Sequence, residues 1–483
     1  RTESCWARRP GSRTLGDGRE RHVWGHVIIA AAALLALHVL ADQGDDGLRQ
    51  AVALTDEVRT LALGEAYWPG FDPAGVPLAI YDGKRTYLFR HPAPPAGFGE
   101  EAGTYVWQGR HPSVVANSSA PIGEVTTATV MLESFSDSCS LRERAGVVIH
   151  EAFHVFQGTT GRRWGANEAD LFTYPVNDAG LLALRRLETE ALRRALSTQD
   201  RNESAAWVRQ ALALRRERYD LMAPDFPAYE RGIEAQEGTA TYVEYHVSGE
   251  HPQQVLAPAH AANDVRNRAY WTGATLALLL DRFAPGWQVG FGEDDCRFLD
   301  TDLARVLGTE VGAPKNFFTR SEREAALESA AADVEAMVTR RKEDRAEFLS
   351  RPGWRLIFEA GEERPLWPQQ FDPQNVTRVE GGILHTRFLI VGSEAGTVEI
   401  MGGAALTEGI GPHPLFNGIR RMLLTGLSEE PPVVVDGTHV SVTMPCCAAS
   451  LSGAAVSVSD STVTIRLASG KSEPSEPSST RSG

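Results

Sequence analysis

Residues 145–158, AGVVIHEAFHVFQG, constrain the chain most, because three ionisable side chains interrupt what is otherwise an apolar helix. Val147, Val148, Ile149, Phe153, Val155 and Phe156 make that helix apolar nearly all round, the mark of a buried helix. Burying His150, Glu151 and His154 there costs free energy unless something pairs with them. At 3.6 residues per turn the two histidines stack on one face and Glu151 is turned about 100° away. This is the HExxH arrangement: two imidazoles for a zinc ion, and a carboxylate placed to accept a proton from water. The competing interpretation is two histidines merely satisfied within a core. Ser140 and Glu143 form a capping box at the helix start, and Gly158 supplies a stop.

A catalytic zinc needs a third protein ligand and an open position. A third histidine in the metzincin pattern would fall at position 160, but the chain has Thr160 there, with Gln157 in place of the pattern's glycine. An aspartate just after a Gly-Thr pair is also lacking, since Gly238-Thr239 is followed by Ala240, Thr241 and Tyr242. Glutamate remains, and a helix expected over residues 229–247 carries Glu234, Glu237 and Glu244. Each of them competes with the reading of a solvated helix carboxylate.

The run Glu237-Gly238-Thr239-Ala240-Thr241-Tyr242 resembles the Glu-Gly-x-Ala-x-Tyr context of the gluzincins, the thermolysin-like and aminopeptidase-like zinc peptidases. The resemblance covers residues 124–283. It implies a zincin-like catalytic domain in which His150, His154 and Glu237 hold zinc and Glu151 is the general base. It also implies a downstream tyrosine or histidine that polarises the scissile carbonyl; Tyr270 is the candidate, with His246 and His260 behind it. In such a family the strand before the HExxH helix, here residues 125–132, is an edge to which an extended substrate pairs. The small residues after Glu237 are expected to bring its helix close to the HExxH helix. Tyr242, about 140° round from Glu237, is read as packing. The departure from the family is spacing: 82 residues lie between His154 and Glu237, room for an inserted helical hairpin.

Basic residues up to Arg21 precede an apolar run over residues 27–41. About fifteen apolar residues are short for a membrane span and suit a signal peptide, with cleavage expected after Ala41 and an uncleaved anchor as the alternative. The expected address is secreted, periplasmic or cell-envelope, without stable membrane insertion after cleavage. Six arginines and three acids in residues 1–41 give that segment +3, leaving −18 of the chain's −15 for the remainder. Such an acidic balance argues against nucleic acid or anionic lipid as the main partner and favours solubility outside the cell; a peptide or protein substrate is what the gluzincin resemblance implies. Apart from Cys5, the cysteines are Cys139, Cys296, Cys446 and Cys447, which an exported chain can pair as disulfides of unspecified connectivity.

With 483 residues there is room for two or three domains. The expected fold class is α+β, in five segments: a signal peptide (1–41), an N-terminal α+β or β-sheet part (42–135), a mainly helical zinc-binding catalytic domain (136–351), a C-terminal all-β domain of sandwich or barrel type (352–469), and a disordered tail (470–483). Within them, a helix is expected at 48–63, a hairpin at 76–89 turning at Asp82-Gly83, and strands at 104–108 and 124–132, the last with one solvated face. The arginines of the helices after Gly158 are read as solvated faces whose long stems cover a core. A long helix is read as capped by Ser321 and Glu324 and packed through Ala325, Ala332, Val334 and Met337. The expected function is a secreted zinc-dependent peptidase. The alternatives are a zinc hydrolase of another bond, or a cell-envelope binding or structural protein with a vestigial site.

Overall fold

The computed structural model describes residues 29–63, 67–101, 103–248, 256, 259–295, 297–308, 317–373 and 375–467, with backbone alone for 29–45. The basic stretch up to Arg21, Cys5, Cys296 and residues 470–483, expected to be a disordered tail, lie outside the described residues. The fold is α+β. Among the described residues no helix is long and apolar enough to cross a membrane.

Helix α1 (Ile29–Ala62) contains the helix expected at 48–63 and buries Ala51, Leu54, Val58 and Leu61, one stripe at helical spacing. The hairpin follows as β1 (Leu78–Tyr81) and β2 (Arg85–Phe89), antiparallel across a turn in which Gly83 takes φ 94°, a conformation glycine adopts without strain. With β3 (Gly99–Glu101), β4 (Thr104–Gln108), β5 (Ser118–Ile122) and β6 (Val125–Met131) it makes a six-stranded sheet of order β3-β4-β2-β1-β6-β5. Two expectations for β6 fail. It lies between β1 and β5, so it is no edge strand; β5 is the edge. Nor is one face solvated: Thr127 and Thr129 are fully buried, and their hydroxyls donate to the Val125 and Ala116 carbonyls. Backbone acceptors take the place of water.

Helix α2 (Leu141–Gln157) starts at the expected capping box, with both Ser140 and Glu143 bonds made. It buries Val148, Ile149 and Ala152 in one core with Ile80, Ala128 and Val130 of the sheet. After the short α3 (Ala169–Thr173), α4 (Ala179–Ser197) and α5 (Arg201–Tyr219) pack on one another. Helix α6 (Asp225–Ile233) runs without a break into a π turn, Glu234–Gly238, and then α7 (Thr239–Ser248). Helices α8 (Arg266–Phe283), α9 (Leu299–Leu307) and α10 (Arg320–Ser350) complete this part. The cap of α10 is Thr319 with Glu322, two residues earlier than expected. Its contact stripe shifts with it: Ala330 is buried with Ala326, Val334 and Met337 against it, while Ala325 and Ala332 are exposed.

Four arginines of α4 and α5 are not on a solvated face, although Arg201 and Arg216 are exposed as expected. Arg185, Arg186, Arg215 and Arg218 are buried. Arg215 lies 2.8 Å from Glu188 and 2.6 Å from Glu234; Arg218 lies 2.7 Å from Glu188 and also binds Glu230; Arg268 of α8 lies 2.9 Å from Glu188. Three guanidiniums and three carboxylates from five helical elements thus neutralise one another in the interior, the condition under which buried charge is tolerated.

The C-terminal strands are β7 (Trp354–Glu359), β8 (Trp367–Phe371), β9 (Val376–Val379), β10 (Gly382–His385), β11 (Phe388–Ser393), β12 (Gly396–Met401) and β13 (Ala405–Gly409). They continue as β14 (Ile419–Leu427), β15 (Val433–Asp436), β16 (His439–Met444), β17 (Cys447–Leu451), β18 (Ala454–Ser459) and β19 (Thr462–Leu467). Seven form a sheet of order β18-β19-β7-β14-β13-β10-β9 and six a second, β15-β16-β17-β12-β11-β8. Leu356, Phe358 and Met422 of the first share a core with Leu389, Val398 and Val442 of the second, as in a sandwich. Phe348 at the end of α10 covers the outer face of the seven-stranded sheet through Ile357, Leu384 and Leu423. Cys139 is disulfide-bonded, its partner lying outside the described residues, whereas Cys446 and Cys447 are free.

Candidate metal centre

Helix α2 and the π turn deliver the side chains on which the HExxH reading depends. The Nε2 atoms of His154 and His150 lie 3.1 Å and 3.4 Å from the same oxygen, Oε2 of Glu237. All three residues lie in or at the edge of the buried interior, and their ligand atoms fall within 4.8 Å of one another. Zinc with bonds of about 2.0–2.1 Å in a tetrahedron sets its ligand atoms about 3.3 Å apart, the size of the two histidine–Glu237 separations.

The other ring nitrogens decide what the inner ones present. His150 Nδ1 lies 3.0 Å from Oε2 of Glu244, a carboxylate, and so donates its proton there. His154 Nδ1 lies 2.7 Å from Oε1 of Gln157. The Gln157 amide cannot be flipped, because its Nε2 donates to the Gln236 carbonyl at 2.9 Å and to the Thr239 hydroxyl at 3.1 Å. In the neutral imidazoles both Nε2 atoms are therefore lone pairs. Two lone pairs and a carboxylate oxygen converge on one buried point, and only a cation or protons reconcile them. Protons are a real competitor. Burial alone disfavours a charged His150, but the carboxylates of Glu237 and Glu244 outweigh it and push that histidine up to about 10.

Glu237 remains an anion: burial works against it, but His154 and Arg266 hold it well below the usual carboxylate range. Its second oxygen, Oε1, accepts from Arg266 Nη2 at 2.9 Å. Glu151 is buried, and desolvation raises its proton affinity against the opposing pull of His150 and His154. A carboxylate shifted in that direction is a stronger proton acceptor than a free one. The Tyr270 ring stacks on His150, centroids 6.1 Å apart and 14° from parallel. Arg266 donates to the Tyr270 phenol oxygen, so in that bond the phenol is the acceptor and its own hydrogen remains a donor. Burial raises the Tyr270 pKa and keeps the phenol neutral.

Of the competitors, Glu234 is bound to Arg215 and to the Thr272 hydroxyl, at 2.6 and 2.7 Å, and does not join the histidines. Glu244, read from sequence as solvated, is instead the partner of His150 and is the residue that reading missed. Its signal was present, since seven residues is nearly two whole turns and sets Glu244 on the face of Glu237. Tyr242 packs against Trp68 and Trp287, its hydroxyl bonded to Asp281, as expected of a core side chain. His246 lies edge-on to Tyr242, and the His260 carbonyl accepts from Arg186; neither belongs to the ligand group.

The close approach allowed by small residues exists but faces another neighbour. A Cβ on Gly238 would come 2.5 Å from Cα of Gly273, so the π turn is pressed against α8, which carries Arg266 and Tyr270. Against α2, the tight position is Gly146, where a Cβ would touch Glu244 and Ser248 at 3.4 Å.

A cavity of about 820 Å³ lies in the sandwich, away from the histidines, walled by Glu359, Glu408, Arg420, Arg421 and Arg466. Its charges pair with one another, as in Arg466–Glu359 at 2.7 Å, and it carries no catalytic grouping. No family model, curated protein or solved structure matches this chain.

Proposed function

We propose that the chain is a secreted zinc-dependent peptidase of the zincin-like, gluzincin type. One observation carries the reading: with both imidazoles neutral, the tautomers set by Glu244 and Gln157 leave two lone pairs and the Glu237 carboxylate facing one buried point. His150, His154 and Glu237 would hold the ion. Zinc, when bound, supplies Lewis-acid polarisation of water and of a carbonyl oxygen. Glu151, next in sequence to a ligand yet outside the ligand group, would accept the proton of the attacking water and return it to the leaving amine. The Tyr270 hydroxyl donates to the carbonyl oxygen as it gains charge. An extended peptide pairs with β5, the edge strand nearest α2. Export is supported by the leader-like apolar run and by the disulfide at Cys139.

The test is metal content together with turnover of a mixed peptide library, with and without chelator. Wild-type protein is expected to hold about one zinc per chain, and Glu151→Gln to keep the zinc while losing hydrolysis. Undiminished cleavage by Glu151→Gln would remove it as the base.

A further inference from the structure

The C-terminal sandwich carries no catalytic grouping, yet a chain of contacts joins it to the metal-binding carboxylate. It starts at Phe172 of α3, which is 4 % exposed and sits in the sandwich core rather than in that of the helices. Its ring lies 5.5 Å from Phe371, 5.9 Å from His413 and 6.0 Å from Phe416. The backbone of α3 is clamped by the same sandwich at both ends. His413 Nδ1 accepts from the Leu415 and Phe416 amides, so its Nε2 is the protonated nitrogen and donates to the Ala169 carbonyl at 2.9 Å. Arg378 donates to the Phe172 carbonyl at 3.0 Å.

The residue that opens α3 is Glu168, one helical turn before Phe172. Its Oε1 accepts from Arg266 Nε at 3.0 Å, and its Oε2 from the Tyr229 hydroxyl at 3.1 Å. Arg266 is the first residue of α8, and its guanidinium is used on all sides: Nε on Glu168, Nη1 on Tyr270, Nη2 on Glu237. Because Arg266 takes Oε1 of Glu237, only Oε2 is turned to the histidines. A planar, five-donor guanidinium fixes that choice where a single ammonium could not.

We propose that Arg266 is a positioning residue that fixes which oxygen of Glu237 meets the histidines and where the Tyr270 hydroxyl lies, and that the C-terminal sandwich sets Arg266 through α3 and Glu168. This rests on the reading of His150, His154 and Glu237 as a zinc site. The sandwich thereby acquires a role: it is the anvil against which the site is registered.

The experiment uses the full chain and measures zinc affinity by chelator competition, kcat and KM on a peptide substrate, and the urea midpoint. Glu168→Gln is close to isosteric, and Arg266→Lys keeps the charge while losing the three-way contact. Both are expected to weaken zinc binding by about 10–100-fold, the usual cost of removing a group that orients a ligand, and to lower kcat more than they raise KM. Phe172→Leu is expected to act in the same direction. If the sandwich acts through Glu168, adding Phe172→Leu to Glu168→Gln changes zinc affinity by less than the product of the single effects. Glu168→Gln and Arg266→Lys with wild-type zinc affinity and kcat would overturn the positioning role, and multiplicative effects in the double variant would overturn the sandwich's part in it. A wild-type chain that binds no zinc would overturn the proposed function, and this inference with it.

Discussion

Glu244 accepts the Nδ1 proton of His150 at 3.0 Å from a helix that also supplies Glu237, seven residues earlier, to the opposite nitrogen of the same ring. One helix face thus both meets the imidazole and sets its tautomer. Glu244→Gln, which keeps an acceptor but loses the charge, is expected to lower zinc affinity by about 10-fold, and Glu244→Ala by about 100-fold. Chelator competition reads both, and equal affinities in all three proteins would show that Glu244 does not orient His150.

Glu188 stands between Arg215, Arg218 and Arg268, fully buried. Glu188→Ala leaves three guanidiniums short of a counter-charge and is expected to cost about 3–5 kcal/mol of stability. The urea midpoint checks this, and a loss under 1 kcal/mol would mean that water enters the cluster.

The contact between Gly238 and Gly273 leaves no room for a methyl group, since the nearest atoms are backbone. Gly238→Ala is expected to destabilise the fold by about 1–3 kcal/mol and, by spreading the π turn from α8, to weaken zinc binding too. Thermal unfolding with and without zinc separates the two effects. A variant as stable as wild type would place the helices further apart than described.

His385 in the sandwich is fully buried, its Nε2 3.1 Å from the Thr407 hydroxyl, and burial pushes it down to about 3. Its folded pKa is below the unfolded value of about 6.5, so the unfolded chain takes up a proton that the folded one refuses. The resulting stability is complete above pH 6.5 and is lost as pH falls toward 3, by about 3 kcal/mol at pH 4.5. His385→Gln cannot titrate and is expected to flatten that acid limb. Urea midpoints of the two proteins between pH 7 and 4.5 should converge, and curves that stay parallel would contradict the argument.

What the sequence made legible was local. The α2 capping box, the β1–β2 hairpin and the α+β division each depend on residues close in sequence, and all appear. His150, His154 and Glu237 do come together; the histidine pair was legible from helical spacing, and Glu237 only from the Glu-Gly-x-Ala-x-Tyr run that follows it. Long-range partners were not legible. Arg215 and Arg218 read as surface because an arginine stem looks alike on either side of a helix, and their glutamates come from α4, α6 and the π turn. The π turn itself leaves no mark in apolar periodicity, although such widened turns gather at functional sites. Strand β5, SSAPI, lacks the β-branched run that betrays a strand, so nothing in the sequence sets a neighbour against the edge that the family resemblance implies for β6.

The ionic knot among Glu188, Glu230, Glu234, Arg215, Arg218 and Arg268 ties together the scaffold from which Glu237 emerges. Hydration of ions grows less favourable on warming, so the desolvation cost of such a knot shrinks as temperature rises. The carboxylate-bearing scaffold therefore carries a smaller desolvation penalty in hot solvent than in cool.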